Sequence, residues 1–198
     1  FALPPDRAAF AAEFGIPDDT IVLAAAGQLI PRKGHRYLLE AVAEIRSAYP
    51  NLRLLIFGEG YLNNQLRSQA AALGLGDVVQ FAGFREDLDD FMGCFDLFVH
   101  PALAEGLGVA TLKAAAAGVP VVGFRAGGLS EAVLDGETGI LVPAEDVDEL
   151  RKAIVTLIAH EDVRKRMGLA GRERMQSEFS IDTMVTQHIS LYESVLSG

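Results

Sequence analysis

A single cysteine, Cys94, in 198 residues excludes an internal disulfide and fits a reducing compartment. No stretch approaches the roughly 18 uninterrupted apolar residues of a membrane-spanning helix. The longest candidates, such as Ile21–Ala26 and Val119–Val122, are short, and each is followed by glycine. Positive charge is scarce: 17 Lys and Arg face 27 Asp and Glu, a formal net charge of −10. DNA, RNA and anionic membranes are all drawn by a Lys/Arg surplus, so general affinity for them is excluded, although a local basic cluster can hold one small anion. The chain opens without methionine and without the basic start and apolar core of a signal peptide, so it reads as a segment of a longer protein. No Walker loop, Gly-x-Ser-x-Gly nucleophile elbow, internal repeat or low-complexity linker occurs.

Half of the residues are hydrophobic and 20 are glycine, an ordinary composition for one domain with a sizeable core. Short apolar runs alternate with longer amphipathic stretches. Thr20–Ala26, Leu52–Phe57, Val78–Phe81, Leu97–His100, Val119–Gly123 and Gly139–Val142 read as strands. The stretches between them, including Gly34–Ala48, Tyr61–Leu73, Glu86–Gly93, Val109–Ala117 and Leu129–Leu134, read as helices. From Val147 the chain reads as wholly helical, through Ile158, Val163–Glu178 and Asp182–Leu196. The pattern predicts a three-layer, Rossmann-like α/β domain with a parallel sheet of about six strands and helices on both faces.

Ligands of such sheets bind beyond the carboxyl ends of the strands, so the loops after Ala26, Phe57, Phe81, His100 and Gly123 are the candidates. All five carry glycine, more than chain reversal needs. The first, Gly27–Gly34, sets Lys33 just before a helix, where backbone N–H groups, the helix dipole and an ammonium suit an anion. Taken alone it reads equally as a solvated basic turn. In the fourth, Gly106 and Gly108 permit close approach to the backbone, while Glu105 suits either sugar hydroxyls or a helix N-terminus. Glu131, in the fifth, is explained by the start of a helix. His35 and His100 border the ligand side, but two histidines without a companion carboxylate make a poor metal site, and His100 reads as a structural strand-end residue.

The order of these segments resembles the C-terminal, donor-binding domain of family-4 (group 1) retaining glycosyltransferases of the GT-B fold. The matching stretches are GQLIPRKG at 27–34, LRLLIFGEG at 52–60, VVQFAGF at 78–84, DLFVHPALAEGLGVATLKAAAAGVPVV at 96–122 and GGLSEAVLDGETGILVPAEDVDEL at 127–150. Phe1–Asp19 resembles the lead-in from the interdomain linker, so the likeness spans the whole chain. It implies a nucleoside-diphosphate sugar as substrate, no cofactor, no metal, and an acceptor domain that this chain lacks. Such an isolated half binds donor without turning it over. The resemblance also implies a cytoplasmic location, at the inner membrane face for the full-length protein, with no membrane contact from this domain. It makes Lys33 the phosphate-binding lysine and Glu105 the first carboxylate of the Glu, seven residues, Glu motif, in contact with the donor sugar. Gly27, Gln28 and Gly58 fall in the substrate-binding turns; Gly106, Leu107, Gly108 and Val109 provide backbone near the diphosphate and sugar; Phe84 and Arg85 lie near the base.

Two positions depart from the family pattern. Gln28 stands where arginine grips the diphosphate, and Lys113 stands where the second Glu accepts from the ribose, which an ammonium is unable to do. Three accounts follow: Lys113 supplies the missing cation, the donor is unusual, or the domain is a non-catalytic or regulatory sugar-nucleotide-binding module. A sugar-nucleotide epimerase of the same fold needs other acid/base carboxylates and histidines. The final helix often packs on the acceptor domain in this family. In this chain it is expected to pack mostly on its own domain.

Overall fold

The computed structural model describes residues 6–197, so Phe1–Pro5 of the expected lead-in lie outside the described residues. Six strands form one parallel sheet: β1 (Ile21–Ala26), β2 (Leu52–Phe57), β3 (Val79–Gly83), β4 (Leu97–His100), β5 (Val121–Phe124) and β6 (Gly139–Val142). Their spatial order is β3-β2-β1-β4-β5-β6, the doubly wound order of a Rossmann-like sheet. The chain winds outward from β1 to β3, then restarts at β4 on the other side of β1. That reversal opens a crevice at the carboxyl ends of β1 and β4.

Strands buried on both faces explain the near-continuous apolar runs. Along β1, Leu23 and Ala25 join one core with α2 (His35–Ile45), α3 (Asn63–Ala72) and α7 (Val147–Ala159). Val22, Ala24 and Ala26 join a second core on the opposite face, with Phe10, Phe57, Phe98 and Leu129. Helix α1 (Arg7–Phe14) closes that second face, with Phe14 edge-on to Phe57 at 5.8 Å between ring centroids. The sequence pattern predicts no element in this lead-in. Yet both of its punctuation marks are local: the Asp6 carboxylate accepts from the Ala9 N–H at 2.9 Å, and Gly15 ends the helix at φ 63°.

β1, β3 and β5 differ from the predicted bounds by one or two residues at their ends, and the two largest shifts have physical reasons. β5 starts at Val121 because the Val119 N–H is taken by the Ala114 carbonyl, 2.9 Å away, closing α5 (Val109–Ala116), and Pro120 has no N–H to offer. β3 extends to Gly83 because a bulge lets Phe57 pair with Gly83. In α8 (Glu161–Glu178), Gly168 lies so close to α5's end that a Cβ there would stand 2.0 Å from the Gly118 carbonyl oxygen.

The expectation for the last helix is overturned. In α9 (Ile181–Ser197) the apolar residues Ile181, Met184, Val185, Ile189, Leu191, Tyr192, Val195 and Leu196 are all exposed, from 44% at Val185 to 87% at Leu196. The sheet's two faces are already covered by other helices, among them α1, α2, α5 and α7. No helix among the described residues is long and apolar enough to cross a membrane.

Candidate active site

A cleft of about 860 Å³ lies at the carboxyl ends of the strands. The turn after β1 forms one wall. Its conformation is set by contact with the turn after β2: the Gly27 N–H donates to the Phe57 carbonyl at 3.0 Å and the Leu29 N–H to the Glu59 carbonyl at 2.8 Å. Gly58, at φ 125°, fits against Gly27 so closely that a Cβ would stand 2.0 Å from its carbonyl oxygen. Lys33 then lies across Gly27, its Cδ 3.5 Å from where a Cβ would be.

The opposite wall is the segment after β4. Here the Gly128 N–H donates to the Glu105 carbonyl at 3.1 Å, and a Cβ on Gly128 would stand 1.9 Å from the Gly106 carbonyl oxygen. Gly108, at φ 76°, caps α5, whose first residues Val109 and Ala110 face the cleft. Much of the glycine beyond the strand ends therefore serves backbone packing between neighbouring loops. Gly128→Ala is expected to destabilise the chain by about 1–3 kcal/mol, since the methyl overpacks against backbone. Gly76→Ala, with nothing within 4 Å, leaves urea unfolding unchanged.

The two walls meet in an ion pair. Lys33 Nζ bonds Glu105 Oε2, their side chains only 13% and 12% exposed. His100, at the end of β4, lies 2.7 Å from the same oxygen through Nε2. The other carboxylate oxygen of Glu105 accepts from the Gly106 N–H at 3.1 Å. Burial alone raises the Glu105 pKa, but the bonds from Lys33 and His100 outweigh it and bring it down to about 2. Burial lowers His100, and its bond to Glu105 offsets this only in part, so the ring is neutral at pH 7 and donates from Nε2 to the ionised carboxylate. His100 thus has the companion carboxylate that its sequence context did not reveal, and it orients a cleft residue rather than serving as a plain strand end. His35 is buried as well, neither ring nitrogen making a hydrogen bond of good geometry, and burial is the main cause that lowers its pKa to about 4.

Of the residues named from sequence, Gly27, Gln28, Lys33, Gly58, Phe84, Arg85, Glu105, Gly108, Val109 and Lys113 line the cleft. Gly106 and Leu107 are not among the lining residues: both are exposed, with the Gly106 carbonyl and the Leu107 Cα packed against Gly128. Arg85 is held by Glu13 and by Asp87, 2.7 Å from its Nε, while Phe84 is 65% exposed at the rim. Lys113 pairs with Asp89 at 2.8 Å across the cleft. Sequence reasoning singled out neither Arg32, Glu59, Glu86 nor Asp89, all of which line the wall. For Arg32, Glu59 and Glu86 the signal available was position after a strand end; Asp89 lies in the short helix α4 (Leu88–Phe91).

Comparison with known proteins shows the family of this chain. The model of the glycosyl transferases group 1 family matches residues 6–174. This chain belongs to that family. The GDP-mannose-dependent alpha-(1-6)-phosphatidylinositol monomannoside mannosyltransferase of Mycolicibacterium smegmatis is 38% identical over 87% of this chain and 47% of its own length. The GDP-mannose-dependent monoacylated alpha-(1-6)-phosphatidylinositol monomannoside mannosyltransferase of Corynebacterium glutamicum is 34% identical over 98% of this chain and 52% of its own. Anabaena HepE, solved in complex with UDP, superposes with a TM-score of 0.88 at 27% identity, over 97% of this chain and 53% of that one. The same protein is also solved with UDP-glucose. This group 1 chain thus spans about half the length of the relatives it matches. The Rossmann-like architecture expected from the GT-B resemblance is the one found.

Proposed function

We propose that this chain is the donor-binding half of a retaining glycosyltransferase, its cleft taking a nucleoside-diphosphate sugar. The observation that carries the reading is the Lys33–Glu105 pair, set between the turns after β1 and β4 at the point where strand order reverses. The named complexes of the Anabaena protein with UDP and UDP-glucose support a sugar nucleotide as ligand. The group 1 relatives support glycosyl transfer as the reaction of the whole protein.

In this reading the diphosphate lies between Lys33 and the first turn of α5, and Glu105, steadied by His100, accepts from a hydroxyl of the donor sugar. An acceptor hydroxyl oxygen attacks the anomeric carbon from the face the diphosphate occupies, so configuration is retained. The bond from that carbon to the phosphate oxygen breaks, and the diphosphate leaves with the electron pair. The acceptor's proton passes to a phosphate oxygen, giving the glycoside and the nucleoside diphosphate. Lys33 and the amides at α5's N-terminus stabilise the charge that develops on the leaving group, which makes a divalent metal unnecessary. The acceptor binds a second domain of the same polypeptide, in the cytoplasm, so this half alone binds donor without turnover.

Calorimetric titration with UDP, GDP, ADP and their common sugar conjugates tests the reading. Saturable binding of one of them is expected and names the base; no heat from any at millimolar concentration overturns it for this chain. A second reading, a non-catalytic sugar-nucleotide module, is favoured by Gln28 and by Lys113 being tied to Asp89. Transfer or donor hydrolysis by the full-length protein decides between the two.

A further inference from the structure

Resting on the reading of the cleft as a diphosphate site, we propose that Arg32 is a second cationic contact for the phosphates. Four cations line the cleft, and three of them already have acidic partners: Lys33 with Glu105, Arg85 with Glu13 and Asp87, and Lys113 with Asp89. Among the described residues the Arg32 side chain forms no hydrogen bond and no ion pair. A diphosphate carries more than one negative charge, and Lys33 meets it with Glu105 at its side. Arg32 is therefore the cation whose charge is available without breaking a contact.

Its backbone is fixed where such a contact needs it. Pro31 begins a single 3₁₀ turn through Lys33, the Gly34 N–H donates to the Pro31 carbonyl at 3.1 Å, and the Arg32 carbonyl accepts from the Leu103 N–H at 2.8 Å. That last bond joins the turn after β1 to the segment after β4, so the arginine's root is held to both walls. From that root a guanidinium presents two parallel N–H groups to two phosphate oxygens, a geometry that lysine does not offer. Being exposed and unpaired, Arg32 contributes little to folding, so its variants keep the fold.

The test is calorimetric titration of this chain with UDP, GDP and ADP, with uridine, guanosine and adenosine as phosphate-free controls, at two salt concentrations. Arg32→Ala is expected to weaken the diphosphate that binds by about ten- to a hundredfold while leaving its nucleoside unchanged. Arg32→Lys recovers part of the loss, and the salt dependence of diphosphate binding is shallower in Arg32→Ala than in the parent. Unchanged diphosphate affinity in Arg32→Ala, or equal losses for nucleoside and diphosphate, overturns the assignment of Arg32 and leaves the donor-site reading standing. Absence of diphosphate binding by the parent chain overturns both.

Discussion

Lys33→Ala is expected to weaken nucleoside-diphosphate binding by about thirtyfold to a thousandfold or more, corresponding to about 2–5 kcal/mol for removing one partner of a desolvated charge pair. Two effects add. The ammonium nearest the phosphates disappears, and Glu105, only 12% exposed and facing the cleft, loses the cation that masks it. The carboxylate then repels the same diphosphate that Lys33 had attracted. With Lys33 gone, Glu105 keeps only His100 and the Gly106 N–H as donors, so its pKa climbs from about 2 toward the ordinary carboxylate range. Glu105→Gln separates the two effects. It frees Lys33, so plain UDP or GDP binds at least as tightly as to the parent, while the advantage of the sugar-bearing donor over the bare diphosphate is lost. Calorimetry on the three proteins reads all of this; a Lys33→Ala chain that binds as the parent does would falsify the placement of the diphosphate beside this lysine.

The alternation of apolar strands and amphipathic helices made the sheet legible, because a strand buried on both faces has little freedom in composition. The reversal between β1 and β4 then points to the loops that matter, which is why most candidate residues line one cleft. What the sequence hid were contacts between segments far apart in the chain. Lys33 and Glu105 are 72 residues apart, and nothing local to either says that they neutralise each other or that His100 joins them. The glycines hid contacts in the same way. Gly58 does line the cleft, yet its missing side chain is also required by the Gly27 carbonyl oxygen, 2.0 Å from where a Cβ would stand. Gly106 and Leu107 are exposed and lie outside the cleft lining. In α9 the apolar pattern was readable, but periodicity fixes only that a helix has an apolar face, and the surface covering that face is a long-range fact.

Acidification exposes the cost of the histidine beneath the site. His35 is 3% exposed, and the fold holds its pKa down to about 4, mainly through burial and with the Lys33 ammonium adding in the same direction. In the unfolded chain the same ring titrates near 6.5. Between these values the unfolded state binds the proton and the folded state does not, so stability falls as pH drops. The full loss is about 3 kcal/mol, reached near pH 4. His100, also lowered by burial, adds to it in the same direction. Glu105 acts in a lower window: its pKa of about 2 stabilises the fold above the ordinary carboxylate value near 4.5, and that contribution is lost only as pH falls from there toward 2. Asp87, Asp135, Asp148 and Glu161, all lowered too, belong to that acid window as well. The interval from pH 6.5 to 4.5 therefore isolates the buried histidines. Urea unfolding across it should show a falling midpoint in the parent and a much flatter one in His35→Leu, with the residual slope assigned to His100. A parent whose stability stays level from pH 7 to 4.5 means that His35 takes up its proton inside the fold, and the buried neutral ring beneath Lys33 is then the wrong description of this site.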